Sequence, residues 1–191
     1  MVVIFINGVP GTGKTTVAHK LAARLSVEEI IQTDFLKQVF RYLEHDENSY
    51  MPSHQAWRLF GNKTKKNIIK GFENCIDYFE PWITGLSGFS SKRLKIVIVE
   101  GVQATPKIFE RIPGEKKGFL LVNDEKVNLK RLESKNSKRT NPHNLFFEHY
   151  DVIKILQEHL KKQALSQGFE IIENKDSDKT ADRIVEVLNG L

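Results

Sequence analysis

The sequence has few of the features that cross-link a chain, anchor it in a membrane or bind zinc. It contains one cysteine, Cys75, among 191 residues, which excludes an internal disulfide and any cysteine-rich metal site. The longest uninterrupted apolar run, residues 1–6, is far shorter than the roughly 20 residues that span a bilayer, and glycines follow it too soon for a secretory signal. The six histidines lack the H-x-x-x-H and H-E-x-x-H spacings of zinc sites. We therefore expect a cytoplasmic protein with no zinc site.

Composition places the chain among ordinary globular proteins and leaves its partners open. Hydrophobic residues make up 40% and charged residues 28% of the sequence, values that exclude disorder and fibrous structure. The length fits a single domain, residues 1–191, with room for an insertion. The net charge of +5 suits small anionic molecules such as phosphate esters as well as nucleic acid. Aromatic residues do not interleave with basic ones as a base-stacking surface requires, so a nucleic-acid partner is the less favoured alternative.

The order of predicted elements indicates an α/β fold in three layers, with a five-stranded parallel sheet wrapped by helices. Apolar runs predict strands, which lie at residues 2–6, 29–32, 96–100, 119–122 and 169–173. Helical periodicity predicts helices, which lie at residues 15–25, 35–43, 54–85, 149–167 and 178–188. Asp124 is placed to cap a further helix, and Pro81 is expected to end or kink the longest one. Loops or connectors are predicted at residues 44–53, 85–95 and 134–142.

Residues 8–15, GVPGTGKT, match the phosphate-binding motif GxxxxGK[ST] at every fixed position, between a predicted strand and a predicted helix. Glycines let backbone N–H groups surround a phosphate, and the following helix presents its positive end to the same anion. Lys14 is expected to reach the β- and γ-phosphates during catalysis, and the Thr15 hydroxyl to ligate Mg²⁺. The residues expected to bind the nucleotide here are Gly8, Val9, Pro10, Gly11, Thr12, Gly13, Lys14, Thr15 and Thr16.

Two carboxylates are expected at the edge of the sheet that carries the phosphate-binding loop. Glu100 ends the third predicted strand and is followed by Gly101, where hydrolytic ATPases carry a second acidic residue. Asp34 lies just beyond the second strand. Open α/β sheets bind ligands at this edge, so we expect Thr15, Glu100 and Asp34 to hold Mg²⁺ or its bound water. Asp34 could also accept the proton of an acceptor hydroxyl. The alternatives are a solvated strand end for Glu100 and a helix N-cap for Asp34.

Basic residues gather in a predicted lid region, residues 126–148. A mobile basic segment at this place can stabilise the charge of a transferring phosphoryl group and exclude water. We assign this catalytic role to Arg131 and Arg139, with a solvated position as the alternative. Lys135 and Lys138 are expected on a solvated face.

A second basic pair follows Asp34 on the predicted helix. Lys37 and Arg41 stand one turn apart and therefore share a helix face. Together with Asp34 and Gly101, they are assigned to the binding of an anionic acceptor. Solvent exposure is nevertheless the commoner state of a single Lys or Arg.

These motifs resemble those of P-loop kinases of small molecules, and most closely the 2-phosphoglycerate kinase family. Only the phosphate-binding motif is specific alone, but the matching segments extend over nearly the whole chain. They are GVPGTGKTT (8–16), TDFLKQVFR (33–41), IVIVEGVQATP (96–106), LLVNDE (120–125), YDVIKILQEHLKKQA (150–164) and FEIIENKD (169–176).

The resemblance implies an adenylate-kinase-like core, ATP and Mg²⁺ as cofactors, and an acceptor hydroxyl on a phosphorylated three-carbon acid. It implies that Asp34 and Arg41 face the acceptor and that Arg131 comes from the lid. Asn174 and Lys175 would lie in the loop that flanks adenine.

The chain also departs from the family pattern. Residue 128 is Asn and residue 135 is Lys, where the resemblance predicts His and Arg. A helical insertion at residues 42–95, rich in aromatic residues, is expected to recognise the acceptor.

The function expected is an ATP-dependent kinase that phosphorylates a hydroxyl of a small anionic metabolite such as 2-phosphoglycerate. One alternative is a kinase of a nucleoside or of a polynucleotide 5′-hydroxyl. The other is a nucleotide-gated regulatory P-loop protein that transfers nothing. A GTPase is disfavoured because Ser177 occupies the aspartate position of an N-K-x-D motif. The oligomeric state stays open.

Overall fold

Five parallel strands form one sheet in the computed structural model, which describes residues 2–43, 51–137 and 145–190. The strands are β1 (Val2–Asn7), β2 (Ile30–Gln32), β3 (Ile96–Glu100), β4 (Glu115–Val122) and β5 (Glu170–Glu173). Their spatial order is β2-β3-β1-β4-β5, and every neighbouring pair is parallel. The predicted fold class and all five strands are confirmed.

Helices connect the strands and form the outer layers of the fold. They are α1 (Lys14–Leu25), α2 (Thr33–Leu43), α3 (Lys65–Ser91), α4 (Pro106–Arg111), α5 (Glu125–Ser137), α6 (Leu145–Glu148), α7 (Tyr150–Ser166) and α8 (Ser177–Asn189). The short helices α4 and α6 were not predicted. None of the helices within the described ranges is both long and apolar enough to cross a membrane.

The central strand β1 shows why the fold has three layers. Successive side chains of a strand point to opposite faces, and both faces of β1 are buried. Ile4 and Ile6 belong to one core cluster, which includes residues of α1 and α8. Val3 and Phe5 belong to the other, which includes residues of α3, α4 and α7. The apolar sequence of β1 therefore reflects helices packed on both sides of the sheet.

Helix α3 continues through the features that were expected to end it. Pro81 does not end the helix, and the predicted connector at residues 85–95 is wrong as far as Ser91, because one helix runs from Lys65 to Ser91 with the proline inside it. Side chains on one face of α3 stay fully buried across and beyond the proline, and these are Phe79, Ile83, Ser87 and Ser90. Their spacing of three or four residues keeps one stripe in the core, so tertiary packing overrides the local break.

The start of α3 also differs from the prediction of a helix from residue 54. Residues Ala56–Phe60 form a separate 3₁₀ helix. The α-helix begins after Thr64, whose Oγ1 accepts a hydrogen bond from the backbone N–H of Asn67 at 3.2 Å. This N-cap satisfies a backbone donor of the first turn and fixes the boundary.

The region after β4 combines a confirmed cap with a corrected boundary. Asp124 caps α5 as predicted, because its Oδ1 accepts from the N–H of Val127 at 2.8 Å. The predicted turn-forming segment at 134–142 is wrong in its first part, since α5 continues to Ser137. Residues 138–144, including Lys138 and Arg139, lie outside the described residues.

Candidate active site

The carboxyl ends of the three strands β1, β2 and β3 meet at one edge of the sheet. Ile6 of β1 is paired with Glu100 of β3, and Gln32 of β2 is paired with Glu100 as well. The phosphate-binding loop follows β1 directly, and Asp34 follows β2 as the second residue of α2. The alignment of the strand ends therefore brings together the two carboxylates and the loop, as the sequence predicts.

Two glycines of the phosphate-binding loop have no room for a side chain. Gly11 and Gly13 adopt φ angles of +87° and +85°, in the region that favours glycine. A Cβ at Gly11 would lie 1.8 Å from Oδ1 of Asn128, and one at Gly13 would lie 2.6 Å from Nδ2 of Asn174. The loop thus packs its backbone directly against side chains of α5 and of the β5–α8 connection.

Side chains from three elements hold the backbone of this loop. The carbonyl oxygen of Thr12 accepts hydrogen bonds from Asn174 Nδ2 at 2.7 Å and from Arg131 at 3.2 Å. Asn123 Nδ2 donates to the carbonyl oxygen of Gly11 at 3.3 Å. Asn174 is itself fixed, because its Oδ1 accepts from Thr180 Oγ1 at 3.0 Å. The loop conformation is therefore imposed by its surroundings before any ligand binds.

Lys14 is buried beneath the loop, with 7% of its surface exposed. Its Nζ donates to the carbonyl oxygen of Val9 at 3.1 Å. Burial lowers the pKa of Lys14 below its ordinary value, while the negative charges of Glu100 and Asp34 act in the opposite direction. The two carboxylates favour the charged form of Lys14, and the ammonium can attract an anion that enters the loop.

The predicted metal ligands Thr15 and Glu100 are in direct contact. Thr15 Oγ1 donates to Oε1 of Glu100 at 3.1 Å, and Glu100 is only 3% exposed. Burial raises the pKa of Glu100 above its ordinary value, an effect that Lys14 opposes and Asp34 reinforces. The solvated strand end considered for Glu100 is therefore wrong. A carboxylate and a hydroxyl side by side are hard oxygen donors of the kind that Mg²⁺ prefers.

Asp34 and Lys37 lie on the first turns of α2, and the structure corrects two alternatives for them. Asp34 is not a helix N-cap, because α2 already begins at Thr33; its side chain is 62% exposed. Lys37 is not solvated, because only 8% of its surface is exposed. Its Nζ lies 3.9 Å from Asp34 Oδ1 and donates to Ser53 Oγ at 3.2 Å. The side chain of Arg41 lies outside the described part of the chain.

Arg131 reaches the loop from α5. In addition to the bond with Thr12, its guanidinium donates to the carbonyl oxygen of Lys175 at 3.1 Å, and partial burial lowers its pKa. Arg131 thereby joins α5, the phosphate-binding loop and the loop after β5. Lys175 itself forms an ion pair with Glu173 at 3.1 Å. Lys135 is exposed, as predicted.

Gly101 has a packing role that the sequence analysis did not identify. Its φ is +141°, and a Cβ there would lie 1.8 Å from Oγ1 of Thr33. Thr33 in turn donates to Oε1 of Gln103 at 2.8 Å. The chain after Glu100 can therefore approach α2 closely only because residue 101 carries no side chain.

The site also contains polar residues to which the sequence analysis assigned no role. Asn128 lies under Gly11 and is 2% exposed. Asn7 donates through Nδ2 to the carbonyl oxygens of Gly101 and Val102 at 3.1 and 2.9 Å. No motif marks these residues, since their role depends on which strand ends become neighbours.

Comparison with known families gives matches to one family model and to named enzymes. A family model described as an AAA domain matches residues 4–145. The chain is 27% identical to a protein named 2-phosphoglycerate kinase from Methanopyrus kandleri, over 99% of this chain and 61% of that protein. It is 29% identical to the protein of the same name from Pyrococcus furiosus, over 96% of this chain and 63% of that protein. The chain thus spans somewhat over three fifths of these relatives, and the resemblance stated from the sequence is confirmed.

Solved structures match over almost the whole chain. Shikimate kinase from Bacteroides thetaiotaomicron superposes with a TM-score of 0.60 at 19% identity, covering 98% of both chains. Deoxyadenosine kinase from M. mycoides superposes with a TM-score of 0.51 at 17% identity, covering 99% of this chain and 100% of that one. At these identities the likeness concerns the fold, which is the α/β arrangement described above.

Proposed function

The chain belongs to this AAA domain family, and on that premise we propose that it is an ATP-dependent kinase. It transfers the γ-phosphoryl group of ATP to a hydroxyl of a small anionic metabolite of the class to which 2-phosphoglycerate belongs. The relatives named 2-phosphoglycerate kinase support this reaction. The proposal covers the part of those proteins that this chain matches.

One observation carries the proposal. Among the described residues, one buried carboxylate, Glu100, contacts Thr15, the last residue of the phosphate-binding motif. ATP hydrolysis needs a further group that orients or activates an attacking water. The next position cannot supply one, because a side chain at Gly101 would collide with Thr33. Asp34 is instead exposed at the same edge, where it can meet an acceptor that enters from solvent. With Glu100 beside Thr15 and Asp34 facing the acceptor, the site favours transfer of the phosphoryl group to a hydroxyl over hydrolysis of ATP.

The residues at the loop fit ATP with Mg²⁺. Gly11 and Gly13 let the loop backbone pack against Asn128 and Asn174, with which a Cβ would collide, and Lys14 supplies a buried positive charge beneath the loop. Thr15 and Glu100 would hold the metal ion or its bound water through oxygen atoms. When bound, Mg²⁺ neutralises charge on the β- and γ-phosphates.

The remaining roles follow from position in the site. Lys14 stabilises negative charge on the phosphate that is transferred, and Asp34 orients the acceptor hydroxyl and takes its proton. Arg131 holds the loop in its binding conformation through Thr12 and lies close enough to the loop to assist in neutralising charge. The catalytic role of Arg139 and the lid role of residues 126–148 stay predictions.

A panel of acceptors tests the reaction. ADP release from ATP and Mg²⁺ is measured with phosphorylated acids, sugars, nucleosides and 5′-hydroxyl oligonucleotides, and Lys14→Ala serves as the blank. A rate well above the acceptor-free rate is expected for 2-phosphoglycerate or a closely related acid. A response confined to nucleosides or oligonucleotides would show that the acceptor is of that class and not a small anionic metabolite. No response from any acceptor, with ATP still bound, would favour a nucleotide-gated regulatory protein.

The variant Asp34→Ala tests whether Asp34 receives the proton of the acceptor hydroxyl. We expect it to lower kcat by about 10²–10⁴-fold, the range for loss of a general base, while ATP binding is preserved. Asp77→Ala is a matched control, because Asp77 lies on α3 in an ion pair with Lys107 away from the loop. Full turnover by Asp34→Ala would remove Asp34 from the mechanism.

A further inference from the structure

Two histidines from distant parts of the sequence form a buried pair. The ring centroids of His54 and His149 are 5.7 Å apart, and the two residues are 7% and 8% exposed. His54 precedes the 3₁₀ helix, and His149 immediately precedes α7. Tertiary folding alone brings them together, because 94 residues separate them along the chain.

His149 lacks hydrogen bonds that its ring requires. Nδ1 and Nε2 are both buried, and neither has a partner among the described residues. A neutral imidazole carries one donor and one acceptor, and a protonated one carries two donors. Buried polar atoms in native proteins are almost always paired, so an unpaired ring points to a group that binds there.

The charges around the pair show which kind of group this is. Burial lowers the pKa of His54 to about 4, and the neighbouring positive charges act in the same direction. The pKa of His149 is lowered mainly by burial, with contributions from both signs of charge. The groups that act on His54 are His149, Lys37 and Arg58, and those that act on His149 are Arg58, Lys63, Glu148 and Asp151. The positive charges of Lys37 and Arg58 disfavour a protonated His54, and a bound anion would relieve this repulsion.

A chain of contacts connects the pair to the proposed position of the acceptor hydroxyl. Lys37 Nζ lies 3.9 Å from Asp34 Oδ1 and 3.2 Å from Ser53 Oγ. Ser53 immediately precedes His54, and its Oγ also accepts from Gln103 Nε2 at 3.1 Å. Lys37 therefore lies close to Asp34, and its charge also acts on His54. An acceptor whose hydroxyl meets Asp34 would extend its other end past Lys37 toward His54.

We propose that His54, His149 and Lys37 form the subsite that binds a phosphate ester group of the acceptor, while Asp34 receives its hydroxyl. This deepens the proposed function and rests on it. The His149 ring can donate to a phosphate oxygen. His54, whose Nε2 lies 3.4 Å from Gln55 Nε2, and Lys37, which donates to Ser53 Oγ, add positive charge beside it. A phosphate dianion favours the protonated form of both rings, so binding takes up protons.

The histidine rings of the intact protein provide a test that does not depend on catalysis. Isotope-labelled histidine is followed by NMR while 2-phosphoglycerate, inorganic phosphate or glycerate is added without nucleotide, with signals assigned through His54→Gln and His149→Gln. We expect 2-phosphoglycerate and phosphate to shift both ring signals and raise both pKa values, and glycerate to have much less effect. If glycerate had equal effects, the group bound by the histidines would be a carboxylate, and the proposed phosphate ester subsite would be wrong. No shift with either phosphate compound would overturn the proposal.

Binding to variants provides a second, independent test. His149→Gln and His54→Gln are each expected to weaken 2-phosphoglycerate binding at least about tenfold and to leave ATP binding unchanged. The first removes a charge-assisted hydrogen bond and the second removes a positive charge beside the phosphate. His19→Gln is the matched control, since His19 is exposed on α1. Unchanged affinity in both variants would overturn the subsite. If one variant does not fold, the other and the wild-type NMR titration still decide the question.

The subsite and the proposed function fail in different ways. Transfer to an acceptor that has no phosphate, with histidine signals unmoved by phosphate, would overturn the subsite and leave the kinase. Histidine signals that respond to 2-phosphoglycerate, with no transfer to any acceptor, would overturn the kinase and leave an anion site.

Discussion

The smallest feature on which nucleotide binding depends is the hydrogen atom that Gly11 carries in place of a side chain. Its φ of +87° and the 1.8 Å approach of a Cβ to Asn128 Oδ1 both oppose substitution. We expect Gly11→Ala to lower the free energy of unfolding by at least about 1 kcal/mol, the backbone cost of a left-handed residue, and to abolish ATP binding. Urea unfolding and calorimetric titration with ATP measure the two effects. An alanine variant that bound ATP normally would show that Asn128 moves aside.

A second prediction at the residue scale concerns His54 and pH. Its pKa is about 4 in the folded protein and near 6.5 when unfolded. The unfolded chain therefore binds more protons between these values, so stability is complete above pH 6.5 and falls as the pH drops toward 4. We expect His54 to account for about 2–3 kcal/mol of the fall in the free energy of unfolding over this pH range, so this part of the fall should be absent in His54→Gln.

The measurement is urea unfolding of both proteins at neutral pH, near pH 6 and near pH 4.5. His19→Gln is again the control, and it should follow the wild type at every pH. A wild-type stability that did not fall more steeply than that of His54→Gln would show that His54 is not buried as a neutral ring.

At the scale of single elements, α3 shows how packing and local preference compete. Gly85 lies on this helix, and a Cβ built there would meet no atom of the described residues within 4 Å. Alanine is favoured over glycine in a helix interior by about 0.5–1 kcal/mol. We therefore expect Gly85→Ala to raise the free energy of unfolding by that amount.

Urea unfolding checks this prediction, and Gly71→Ala provides the contrast on the same helix. A Cβ at Gly71 would lie 2.4 Å from the backbone of Ala56, so that variant should be destabilised. A loss of stability in Gly85→Ala would contradict the open surroundings of this position.

The same helix marks the limit of prediction from sequence. Strands and the phosphate-binding loop could be predicted because their signals are local: an apolar run such as Ile96–Glu100, or glycines at fixed spacing before Lys14. The extension of α3 could not, because Ser87 and Ser90 are polar residues that only the tertiary fold buries.

Some features of the candidate site could likewise be predicted from the sequence, and others could not. Thr15 and Glu100 could be placed together in advance, since strand ends of a parallel sheet share an edge. The burial of Lys37 and the pairing of His54 with His149 could not, because they depend on how α2, the segment before the 3₁₀ helix and α7 pack. Their sequence carries no spacing that marks a site.

For the whole molecule, ligand binding and global unfolding are linked. A ligand that binds only the folded chain at 100 times its Kd adds about 2.7 kcal/mol of stability. For a chain of this size that corresponds to a rise in Tm of about 5–10 °C. The proposed site predicts that part of this rise with ATP requires Mg²⁺, because Thr15 and Glu100, which are in contact, are its proposed ligands.

Thermal unfolding with ATP, in the presence of Mg²⁺ or of a chelator, separates the roles of the charged residues. Glu100→Gln should keep the shift that ATP causes alone and lose the additional shift from Mg²⁺, since an amide is a poorer ligand for a hard cation than a carboxylate. Lys14→Ala should lose most of both, because the buried ammonium beneath the loop is gone. Asp77→Ala, remote from the loop, should show the full shift. If Glu100→Gln kept the full additional rise in Tm from Mg²⁺, the metal would be bound by other oxygens. If Lys14→Ala kept the full rise in Tm from ATP, the nucleotide would bind outside the loop.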